Sequence, residues 1–219
     1  MKKLIASLLA ILVIPIFLTT PSYAAESKSD KGFVTAQSID GVTVEASIKS
    51  SLPNESVNAV IEEEPVDNRL FGTSSEDQII KSYKVSYIIP RSEQSSSPIT
   101  PSSSQGGSKG EVGATANITI IYNKNGDLID IQRVYGGWTP ENSLYYLTDR
   151  EVIYRADSIT AGKVEKKSPT SNSFNYYPGW GNVLYYPNTA YSSTGAFSWA
   201  TIRVSGMTAY YNIELNVKI

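Results

Sequence analysis

Cysteine and histidine are both missing from this sequence, and the two absences remove much of common enzyme chemistry. Without imidazole or thiol there is no Ser-His-Asp or Cys-His nucleophile pair, and no ribonuclease-like histidine chemistry. The usual zinc sites need the same ligands and fall with them. Without disulfides, stability must come from the core alone. Long apolar runs are equally scarce. The single one, Leu4 to Leu18, follows Met1-Lys2-Lys3 and precedes Ser22-Tyr23-Ala24. A charged start, an apolar stretch and a small-x-small site predict a secretory signal peptide over residues 1–24, cleaved after Ala24. At about 15 residues the run is short of the roughly 20 that a spanning helix needs. The expectation is a secreted, extracellular product with no membrane span.

Basic excess is lacking too. Residues 26–93 carry 12 acids against 7 bases, and residues 94–219 carry 9 acids against 10 bases. Neither half offers the cationic surface that nucleic-acid binding requires. No cofactor motif is present. Gly106-Gly107-Ser108-Lys109-Gly110 matches a nucleophile elbow in letters only. It lies in a Ser/Gly-rich stretch, not between a strand and a helix, and no histidine activates its serine.

What the chain does have is alternation. From Ala209 to Ile219 every second residue is apolar, the period of a strand with one buried face. A turn at Ser205-Gly206 would pair Ile202 with Ala209, Ala200 with Tyr211 and Ser198 with Ile213. Asp40-Gly41 predicts a second hairpin, pairing Phe33 with Ile48, Thr35 with Ala46, Gln37 with Val44 and Ile39 with Val42. Asn125-Gly126 predicts a third, pairing Tyr122 with Ile129 and Ile120 with Ile131, with Arg133 and Tyr135 continuing the face of Ile118 and Ala116. Tyr83 to Ile89 reads as a strand, Leu144–Leu147 and Glu151–Ala156 as two more. Residues 50–79 and 161–173 read as irregular. No helical period persists after the signal peptide.

The expected fold is all-β, an antiparallel β-sandwich of immunoglobulin-like or similar kind, with a small barrel as the alternative. Residues 25–90 form an acidic region that contributes a strand or is removed as a pro-segment. Residues 91–110, dominated by Ser, Pro and Gly, form a linker or long loop. Residues 111–219 form the sandwich and hold 12 of the 15 tyrosines and all three tryptophans.

Trp138 and Trp180 flank glycines in expected loops, where exposure is easy. With Tyr177 and Tyr186 they form the candidate platform for stacking sugar rings or a protein surface. Packing competes for the same rings, because a β-domain without disulfides needs large side chains inside. A carboxylate pair is the catalytic option left, drawn from Asp127, Asp130, Glu141, Asp149, Glu151 and Asp157. Asp127-x-x-Asp130 lacks the alternating acids and glycine of a calcium loop. Overall, the pattern resembles small exported proteins of Gram-positive bacteria in style, carrying no residues over. Three functions follow in order: a non-enzymatic binding protein for a polysaccharide or protein at a cell surface, an acid-pair glycoside hydrolase, and a bacteriocin-like factor.

Overall fold

The structure is a computed structural model, described for residues 27–29, 32–53, 55–66, 78–90, 110–157, 162–185 and 193–219. The described residues contain strands and no helix, in two antiparallel sheets. The larger runs β1 (Ser27–Ser29), β2 (Gly32–Ile39), β3 (Val42–Ser50), β13 (Tyr210–Lys218), β12 (Gly195–Val204), β8 (Tyr145–Ala156) and β9 (Lys163–Lys167). The smaller runs β10 (Ser173–Tyr176), β7 (Leu128–Pro140), β6 (Gly110–Asn125), β5 (Gln78–Pro90) and β4 (Asn58–Glu63), with β11 (Val183–Leu184) also on β7. The two sheets stay separate, so the architecture is a β-sandwich and not a closed barrel. Its strand order is built from hairpins and differs from the immunoglobulin order.

Alternation sets the core. Val44, Ile48, Tyr211, Ile213, Leu215, Ala200 and Ile202 of the larger sheet face Val85, Tyr87, Ile118, Ile120, Ile131 and Val134 of the smaller, all buried. Tyr87 crosses between the sheets and donates its hydroxyl to the Glu214 carbonyl. A buried phenol needs such a partner, and burial followed by the nearby Glu214 carboxylate pushes its ionisation well above the ordinary range.

The region before the Ser/Pro/Gly-rich stretch supplies β1 to β5. β3 pairs with β13 from Tyr211↔Ser50 to Lys218↔Thr43, and β5 pairs with β6 from Gln78↔Asn123 to Pro90↔Gly110. Both sheets therefore contain strands from either side of residues 91–109, which lie outside the described residues. So do residues 1–26.

Several sequence expectations need correction. The Asp40-Gly41 hairpin has the expected register, with Asp40 and Gly41 both at positive φ (47° and 78°). The final hairpin keeps its faces but pairs Ala200 with Ile213 and Ile202 with Tyr211. Its connection takes residues 205–209, closed by the Met207 N–H on the Val204 carbonyl, so the register moves by two residues. The third hairpin turns at Gly126-Asp127, pairing Asn125 with Leu128. Residues 145–147 and 151–156 belong to one strand, β8, broken by a bulge opposite Ala200, and Leu144 lies in the turn before it. The stretches expected to be irregular contain β4 and β9.

Candidate functional site

The bulge in β7 decides what this protein displays. Near the turn Tyr122 faces Ile131; beyond a shift, Ile121 faces Arg133 and Ile120 faces Val134. One extra residue reverses the parity of everything after it. Val134, Gly136 and Trp138 consequently turn inward. Arg133, Tyr135, Gly137 and Thr139 turn outward, opposite to the expectation for Arg133 and Tyr135.

Trp138 is therefore not in a loop. It lies in β7, is 2% exposed, and packs at 5.3 Å against Phe174. Phe174 stacks with Tyr176 at 6.0 Å, Tyr176 with Tyr154 at 5.5 Å, and Tyr154 meets Trp180 at 5.6 Å. This row of five rings joins the β7–β10 edge of one sheet to β8 of the other. Glu165 of β9 secures its end, accepting from the Tyr154 hydroxyl at 2.8 Å and the Trp180 indole N–H at 3.2 Å. Lys167 sits 2.8 Å from the same carboxylate. Those contacts, Lys167 first and Tyr154 next, hold Glu165 below the usual carboxylate range. Desolvation, then the glutamate, pushes Tyr154 up. Trp180 is thus tied into the packing, half-buried beside the core.

Tyr177 is different. It is 66% exposed, one residue and one face away from Tyr176. Its ring lies 5.3 Å from the Arg133 guanidinium, which lies 4.5 Å from the Tyr135 ring on its own strand. Arg133 Nε donates to Asn175 Oδ1 at 2.8 Å. Beside this Tyr-Arg-Tyr group opens a cleft of about 520 Å³. Its outward-facing walls are Asn117, Tyr135, Thr139, Ser173 and Asn175, with Asn172 at one end. The floor is bare backbone at Gly136 and Gly137, backed by Trp138 and Phe174. A Cβ on Gly137 would meet the Asn172 carbonyl at 2.4 Å, and one on Gly136 the Asn117 carbonyl at 2.1 Å. Close strand approach requires glycine at both positions and leaves the hollow. Tyr186 lies outside the described residues.

A second bulge braces the Asn172 end. Asp149 takes positive φ (52°) where β8 slips against β12. The next residue, Arg150, donates Nε to Asn172 Oδ1 and Nη2 to the Leu147 carbonyl, both at 2.8 Å. The Asn172 carbonyl in turn accepts the Trp138 N–H at 2.8 Å.

Among the described residues, no carboxylate lines the cleft. The six acids singled out from sequence do not join one another there. Asp127 and Asp130 sit at the β6–β7 turn, and Glu141 follows β7. Glu151 pairs with Lys166. Burial alone would raise Asp157, but Arg155 and the hydroxyl and N–H of Ser193 hold it low. Asp149 is lowered first by Thr148. A smaller hollow elsewhere is lined by Glu63 and Glu64, with Glu63 near Lys81 and Glu64 accepting from Ser82. Among the described residues, no group of three His, Cys, Asp or Glu side chains could hold a metal ion, and no helix is long and apolar enough to cross a membrane.

Comparison with known proteins gives no match: no family model, no curated protein and no solved structure matches the chain.

Proposed function

We propose that this is a secreted, non-catalytic binding protein that holds a polysaccharide at a cell surface through the cleft on the outer face of its smaller sheet. The observation that carries this reading is the Tyr135–Arg133–Tyr177 group beside a hollow walled by amides and hydroxyls. Ring faces stack on the C–H faces of sugars, and amide and hydroxyl groups bond their hydroxyls. The shallow, open shape suits a polymer passing across it.

Acid-pair hydrolysis fits this cleft poorly. A glycosidase needs two carboxylates flanking the bond, one of them raised to act as the acid. Among the described residues the cleft has none, and those carboxylates whose titration is displaced, Asp149, Asp157 and Glu165, all move down.

The test is affinity electrophoresis of the secreted chain through gels containing cell-wall and extracellular polysaccharides. Retardation by at least one polymer is expected, with Tyr135→Ala and Tyr177→Ala each weakening it about fivefold. Retardation unchanged by both substitutions would place binding elsewhere. No retardation by any polymer would overturn the reading.

A further inference from the structure

We infer that the cleft selects a sugar unit bearing a carboxylate, a deepening that rests on the polysaccharide reading above. The inference comes from counting which hydrogen-bonding capacity the protein has already used. Asn175 Oδ1 accepts from Arg133, and Asn172 Oδ1 accepts from Arg150. Each asparagine has thereby used one of the two lone pairs on its amide oxygen and keeps both N–H donors of its NH2 group. Arg133 commits Nε to Asn175, and its Nη atoms add further donors at the same place. Two amides and a guanidinium thus present a donor-rich wall. The ligand that complements such a wall is rich in acceptors.

Charge narrows the class. Among the described residues, the cleft is lined by one cation and no acid, within a chain whose net charge is −2. Among the described residues, no carboxylate lies within ion-pair distance of Arg133, the cation that lines the cleft. The local positive charge is therefore left for the ligand to neutralise. Geometry narrows it again. Arg133 is flanked by Tyr135 and Tyr177 and tethered through Nε, so little side-chain freedom remains to be lost when a planar carboxylate docks on its fork. The two tyrosines supply ring faces for the sugar on which that carboxylate is carried.

The experiment is a titration of the secreted chain, followed by backbone amide NMR. Its probes are a tetragalacturonide and the same oligomer with every carboxylate methyl-esterified. The rings are then identical, and the change is confined to the carboxyl group, which loses its charge and gains a methyl. The acid should bind about tenfold or more tightly than the ester. Arg133→Gln should remove that preference, weakening the acid about tenfold more than the ester. Raising the salt should weaken the acid alone. Shifts should fall on residues 133–139 and 172–177.

Equal affinity for acid and ester overturns the carboxylate inference while the polysaccharide reading stands. The same holds if neither oligomer binds but a neutral polymer still retards the protein through Tyr135 and Tyr177. If no saccharide binds in either assay, both fall together. A tetra-aspartate peptide that binds as tightly as the acid oligomer overturns the sugar class and points to an acidic protein segment instead.

Discussion

Two groups of aromatic side chains, adjacent in sequence at Tyr176 and Tyr177, have opposite uses here. Trp138, Phe174, Tyr176, Tyr154 and Trp180 form a row that joins the two sheets, and Glu165 takes up the polar ends of two of them. Tyr135, on the outer side of β7, and Tyr177, just past the end of β10, lie against a guanidinium instead of a core. Composition does not separate the groups; strand parity does. Tyr176 pairs with Val134 and follows it inward, so Tyr177 is left outside. Aromatic content is thus a poor guide to binding unless the parity at each ring is known.

The comparison can be broken most forcefully at Trp138. Trp138→Ala should cost about 3–5 kcal/mol of stability, the usual cost of emptying a packed ring site. Urea unfolding measures it, and a loss below about 1 kcal/mol would mean the row does not hold the sheets together. Alkali attacks the buried phenols as a set. Tyr122 and Tyr211 are pushed up to about 12, chiefly by burial, and Tyr83, Tyr87 and Tyr154 are raised as well. Phenols in the unfolded chain ionise near about 10. The folded form therefore keeps its full advantage below about pH 10 and loses it as pH climbs towards 12. Thermal unfolding across that window should show a steep fall in midpoint.

Smaller effects sharpen the contrast. Glu165→Gln should cost about 1 kcal/mol at neutral pH, through weaker bonds to Tyr154 and Trp180. Because the folded state lowers Glu165, its contribution is present above the ordinary carboxylate range and fades as pH falls through it. Wild type and variant should therefore converge in stability below about pH 4. Arg150→Ala should loosen the Asn172 wall and weaken saccharide binding about fivefold, with little direct loss of core. Tyr177→Ala should change stability by no more than about 0.5 kcal/mol while weakening binding. A large stability loss there would erase the distinction between the two groups.

The sandwich was legible because alternation is a strong signal wherever one face is buried. Asp40-Gly41 even yields the register, since both residues take the positive φ that a two-residue turn demands. The final hairpin was legible in its faces alone: residues 205–209 lengthen the turn, and a two-residue slip preserves parity. The site was much less legible, because it depends on events that leave little mark in composition. One residue inserted in β7 turns Arg133 and Tyr135 outward, and a positive-φ aspartate in β8 redirects Arg150. Gly136-Gly137 was the available signal. It is a mid-strand pair in β7 where two neighbouring strands come too close for a side chain. Trp138 next to it was drawn into the core for the same reason of parity.

Hydrogen exchange with and without a retarding polysaccharide tests the central claim most directly. Bound polymer should slow exchange at residues 133–139 of β7 and 172–177 around β10, leaving β12 and β13 of the opposite sheet unchanged. Protection confined to the larger sheet, or spread evenly over both, would contradict the account.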